Sequence, residues 1–144
     1  MRIVLAIIAM VMTISGVASA CSCYWKYKTA KSHADETYAI FKGDYVGELQ
    51  RPEGGGPDDG FGKFRVIEVL KGPRSDFISL RYTKDNSMNC GLIFEQGGVY
   101  EVFAFASNGV LLASECEGTR KSASRTGKWS WENYRKVVKS DHRR

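Results

Sequence analysis

Tyr38-Ala39-Ile40-Phe41-Lys42-Gly43-Asp44-Tyr45-Val46-Gly47-Glu48-Leu49 is the stretch that decides the fold. Aromatic and β-branched residues dominate it, and such side chains suit a pleated, half-buried surface, so one long strand is predicted over 38–49. Gly43 and Gly47 interrupt that strand. Glycines inside a strand mark a bulge or a sharp coil, the deformation a sheet needs to curl around a small barrel.

The neighbouring segments fit a barrel. Residues 51–60, Arg-Pro-Glu-Gly-Gly-Gly-Pro-Asp-Asp-Gly, read as a flexible loop. Residues 61–70 then alternate, with Phe64, Val66 and Leu70 on one side and Lys63 and Arg65 on the other. Lys71-Gly72-Pro73 stops this strand, 77–83 forms a shorter one, and 84–90 is a polar connector. Gly97-Gly98 launches a strand over 99–106, and Ser107-Asn108-Gly109 turns the chain into 110–114. Asn-Gly between two apolar runs is a strong hairpin signal. Five modest strands, one broken by glycine and two joined by a hairpin, predict an all-β closed barrel with minor helix. Residues 31–38 read as a short polar helix or turn, and 118–128 as loop. Ser130 caps a final helix that puts Trp131, Tyr134 and Val138 on one face, and Trp129 and Trp131 are expected to pack this tail onto the barrel.

The start of the chain is a secretory leader over 1–20. Arg2 supplies its charge, residues 3–14 its apolar run, and Ala18-Ser19-Ala20 a peptidase site, so the mature protein is expected to begin at Cys21. The apolar run is too short to span a bilayer comfortably and no second one follows, which predicts a soluble secreted or periplasmic protein with no membrane span. A lipobox with Cys21 lipidated is the rival. Ala18 stands where a lipobox usually has Leu, and lipidation would leave an odd number of cysteines in an oxidising compartment.

Removing the leader takes the formal charge from +5 to +4. Residues 118–144 hold nine Lys/Arg against two Asp/Glu, whereas 21–117 hold eleven against fourteen. The basic tail over 121–144 is first of all a solvated helix face, and its sharper reading is a contact with an acidic surface. Nothing in its pattern suggests nucleic-acid binding. Cys21, Cys23, Cys90 and Cys116 allow three disulfide pairings. A Cys21–Cys23 bridge would close a strained ring, so each is expected to reach a distant partner. A four-cysteine zinc site lacks the paired C-x-x-C spacing. His33 and His142, the two histidines, read as solvated, and no nucleophile–base arrangement, metal cluster or phosphate loop points to an enzyme.

The ordered motifs resemble one family. Cys21-Ser22-Cys23, Phe41-Lys42-Gly43, Cys90-Gly91 with Phe94, Tyr100-Glu101-Val102-Phe103-Ala104, and Leu112-Ala113-Ser114-Glu115-Cys116 with Gly118-Thr119 are similar to the tissue inhibitors of metalloproteinases across roughly 21–120. The resemblance implies a five-stranded Greek-key oligonucleotide/oligosaccharide-binding (OB) barrel, the netrin-like module, followed by the C-terminal helix. It implies the bridges Cys21–Cys90 and Cys23–Cys116. The chain departs from the animal inhibitors by lacking their third N-domain disulfide and their cysteine-rich C-terminal subdomain, and the helix around Trp129 and Trp131 has no counterpart there.

The resemblance also implies a mechanism. The α-amine and carbonyl of Cys21 would chelate the catalytic zinc of a metalloendopeptidase, which is the expected partner. Ser22 would enter the primed-side pocket beside Cys23, and Met88, Asn89 and Cys90 would cover the unprimed side. The loop 51–60 would add contacts to particular proteases. The protein needs no cofactor of its own and is expected to act as a monomer. A netrin-like binding module without inhibitory activity is the alternative, because one barrel hosts unrelated functions.

Overall fold

In the computed structural model, which describes residues 26–84, 91–123 and 127–141, the predicted glycine-broken strand is β1, Ala39–Glu48. It pairs antiparallel with β2 (Asp59–Lys71) on one edge and with β4 (Val99–Ser107) on the other. β2 continues to β3 (Phe77–Thr83), β3 runs parallel to β5 (Val110–Ala113), and β5 returns to β4 as a hairpin. The order β1-β2-β3-β5-β4, closed by β1 against β4, is a five-stranded OB-like barrel.

The bends fall where the glycines are. The β1–β2 register shifts at Lys42/Gly43 and Tyr45/Gly47, and a methyl group on Gly43 would stand 2.9 Å from the Arg65 carbonyl oxygen. Asn108 and Gly109 both take positive φ, 50° and 76°, as a two-residue turn that follows the strand twist requires. A third shift lies between Ile40/Phe41, where Ile40 faces Lys71 and Phe41 faces Val69. That slip corrects one expectation: Leu70 packs with Ile40 under the helices, and Val69 rather than Leu70 joins Phe64 and Val66 on the barrel side.

The barrel interior is aromatic. Phe41, Tyr45, Phe64, Tyr82 and Tyr100 are buried there, and the Phe94 ring sits 4.8 Å from Tyr82 and Tyr100 and 5.0 Å from Phe64, edge-on to each. Opposed edges and faces are the favourable arrangement for such rings. Room for them comes from β2, where a Cβ at Gly60 would fall 2.3 Å from the Tyr82 ring.

A second layer covers the outside of β1 and β4. Helix α1 (Ala30–Glu36) is capped by Thr29, whose hydroxyl accepts from the Ser32 N–H at 3.0 Å. Its buried face, Ala30, His33 and Ala34, makes it amphipathic where a polar helix was expected. Helix α2 (Trp131–Asp141) buries Trp131, Tyr134 and Val138, the three residues predicted for one face, against Ile40, Leu70 and Phe103. Trp131 Nε1–H donates to Glu68 Oε2 at 2.9 Å, and the Asn133 N–H donates to the Ser130 Oγ cap at 3.3 Å. Within 118–128 the chain forms a sixth strand, β6 (Arg120–Lys121), beside Tyr100 and Glu101. Two residues are too few to show a hydrophobic period, so the sequence predicts only loop there. Among the described residues no helix is long and apolar enough to cross a membrane.

Candidate functional site

β3 and β5 run parallel, so the segments that follow them leave the same end of the barrel. β5 ends at Ala113, paired with Tyr82. Cys116 follows in a 3-10 turn, Glu115–Glu117, and is disulfide-bonded. β3 ends at Thr83, whose carbonyl accepts from the Leu92 N–H at 2.8 Å, while Lys84 bridges to Leu92. The described flanks of the 84–90 connector are thus pinned beside the Cys116 turn. Cys21, Ser22, Cys23, Met88, Asn89 and Cys90, the residues assigned by resemblance, lie outside the described residues, and so does the identity of the partner of Cys116.

The first described residues reach this end too. Tyr27 is buried, its ring lies 4.6 Å from that of His33, and its carbonyl accepts from Lys128 Nζ at 3.2 Å. Burial pushes the Tyr27 phenol up, and the Glu117 carboxylate next to Cys116 adds to that. Tyr27, α1 and the Cys116 turn therefore form one packed corner.

His33 corrects a sequence expectation: it is fully buried, not solvated. His142 lies outside the described residues. His33 Nδ1 is 2.6 Å from Tyr134 Oη. Burial raises the Tyr134 phenol, which keeps its proton, so a neutral phenol and a neutral imidazole share one hydrogen across this contact, and the Glu117 backbone also faces the ring. Burial lowers the His33 pKa to about 4, with Arg120 adding to the effect. The neutral ring is a structural joint between α1, α2 and the Cys116 turn.

Glu101 and Arg120 form a second buried polar joint. Arg120 Nε donates to Glu101 Oε2 at 2.9 Å, its Nη2 donates to the Trp129 carbonyl at 2.7 Å, and Lys42 stands 3.8 Å from Glu101. Thr119 Oγ1, also buried, accepts from the Phe103 N–H at 3.1 Å. The sequence signal for this joint is a lone carboxylate, Glu101, inside the apolar run 100–104. For His33 the signal was its place between Ala30 and Ala34 at helical spacing.

The loop expected over 51–60 ends earlier, because β2 already takes Asp59 and Gly60, and it is more ordered than its glycines suggested. The Gly56 N–H donates to Asp59 Oδ2 at 2.6 Å, and Arg51 Nη2 to the Pro57 carbonyl at 3.0 Å. Arg81 beside Asp59 holds that carboxyl below its ordinary range. Lys84 pairs with Glu48 across the same rim. Among the described residues no group of three or more His, Cys, Asp or Glu could hold a metal ion. No family model matches this chain, and no curated protein matches it, so the functional reading rests on its own residues.

Proposed function

We propose that the mature chain is a secreted inhibitor of zinc metalloendopeptidases, with Cys21 as its reactive residue. The observation that carries this reading is the peptidase site Ala18-Ser19-Ala20 ending directly at Cys21-Ser22-Cys23. A module that only binds tolerates extra residues there, whereas a chelating end does not. The disulfide at Cys116, at the end of the barrel where the 84–90 connector starts and returns, supports it.

A catalytic zinc has three protein ligands and one open position for water. The α-amine and carbonyl of Cys21 would occupy that position as a two-point ligand and displace the attacking water. The amine must be neutral to donate its lone pair, and with an ordinary pKa of about 8 the proton cost is modest. A bridge from Cys21 to the barrel would fix the donor geometry beforehand and lower the entropic cost of binding. Ser22 is small enough to enter a primed-side pocket, and Met88 and Asn89 would cover the other side of the cleft.

The test is a panel of zinc metalloendopeptidases, with a serine protease as control, assayed against mature protein whose intact mass shows a start at Cys21 and no free thiol. Slowing of at least one metalloendopeptidase and none of the serine protease is expected. Full activity across the panel would overturn the reading and favour the binding module.

A further inference from the structure

The segment 91–98 closes the end of the barrel at which β3 and β5 finish. Leu92 is buried, and its N–H donates to the Thr83 carbonyl at 2.8 Å. Two residues on, the Phe94 ring stacks on Tyr45 at 5.2 Å and meets Phe64, Tyr82 and Tyr100 edge-on. The Gly97 N–H donates to the Tyr45 carbonyl at 2.9 Å, and the Tyr45 N–H donates to the Gly98 carbonyl at 2.9 Å. Ile93 stands between two neighbours whose side chains pack against the barrel core, and its own is turned outward. At 67% exposed it is the most open large apolar side chain among the described residues.

A single exposed apolar residue on a protein surface is ordinary. Two observations set Ile93 apart. Its backbone is pinned on both sides, and a β-branched side chain is stiff at χ1, so ordering it against a partner costs little entropy. Its place is the second. Ile93 follows Cys90 by three residues, at most about 11 Å of extended chain. Tyr82 pairs with Ala113, which puts the Cys116 turn at the same end. The charges of the flanking segments are spent on one another, Lys84 with Glu48 and Lys121 with Glu95. An apolar point within a polar rim is the anatomy of an interface centre.

We infer that Ile93 is an anchor for the target metalloendopeptidase, seated on an apolar shelf of the cleft rim on the side that Met88 and Asn89 would cover. This inference rests on the inhibitor reading and deepens it. Ligation by Cys21 needs only a zinc ion, which every such enzyme offers. Ile93 selects among them, favouring an apolar shelf and rejecting one that would bury a charge beneath it.

The test compares wild type, Ile93→Asp, Ile93→Leu and Ile67→Asp, all starting at Cys21 and free of thiol by intact mass, against a metalloendopeptidase that wild type slows. Ile67, 54% exposed on β2, controls for an added surface charge. Ile93→Asp is expected to weaken inhibition about tenfold or more, through faster dissociation and with unchanged thermal unfolding. Ile93→Leu and Ile67→Asp stay within about threefold of wild type. An unchanged inhibition constant for Ile93→Asp overturns the inference and leaves the inhibitor reading standing. So does an equal loss in Ile67→Asp, or a loss in Ile93→Asp that comes with a lowered unfolding temperature. A wild type that slows no metalloendopeptidase overturns both.

Discussion

Inside the barrel, Phe64 meets rings and aliphatic groups, with Phe41 at 6.0 Å and Phe94 at 5.0 Å, both edge-on. Across β1 and β4, the helix-side layer buries His33, Glu101 and Thr119 beside Phe103 and Tyr134. The same strands serve both, since Ile40 and Phe41 are each fully buried on opposite faces, as are Val102 and Phe103. The barrel is held by burial and ring packing, which pH and salt hardly touch. The helix-side layer is held in part by polar joints, and those joints converge on the Cys116 turn. The contrast teaches that the corner proposed to carry function is the part of the fold most sensitive to charge.

That contrast can be broken at either side. Phe64→Ala in the barrel should cost about 4 kcal/mol of unfolding free energy, nearly the same at any pH from neutral to mildly acid. Denaturant titration at two pH values checks both statements. Glu101→Gln should cost about 3 kcal/mol, because Arg120 is left buried without its anion. Replacing both partners by apolar residues, Glu101→Leu with Arg120→Met, should recover most of that loss. A pair change as costly as the single one would show that the joint contributes net stability.

His33 sharpens the comparison through pH. Its pKa is about 4 in the folded protein against 6.5 for the free side chain. As pH falls below 6.5 the unfolded chain takes up the proton first, so stability is lost progressively down to pH 4 and no further through this group. The loss should reach roughly 3 kcal/mol. His33→Gln should lower the neutral-pH stability and flatten the curve in that window, which thermal unfolding at stepped pH would record. The smallest effect is expected at the tail: Ser130→Ala removes the α2 cap, costs about 1 kcal/mol and leaves barrel hydrogen exchange unchanged.

How far the sequence was legible follows the same division. The barrel strands were readable because their signals are local: β-branched runs, Gly43 and Gly47 as bends, Asn108-Gly109 as a turn. The helix face of Trp131, Tyr134 and Val138 was readable from its period. What escaped depends on partners distant in sequence. His33 is buried because Tyr134 and the Cys116 turn close over it, β6 exists because Glu101 holds Arg120, and Leu70 changes layer because of one slipped residue against β1. The candidate site was legible only as chemistry around Cys21-Ser22-Cys23, and its residues lie outside those described.

The central claim is that peptidase cleavage before Cys21 creates the reactive group. It is tested most directly by comparing mature protein with a form carrying one alanine ahead of Cys21, both oxidised and both folded by circular dichroism, against a metalloendopeptidase that the mature protein slows. The account predicts a loss of affinity of about a thousandfold or more, equivalent to ~4 kcal/mol, with unchanged thermal stability. Equal inhibition by the two forms would contradict it.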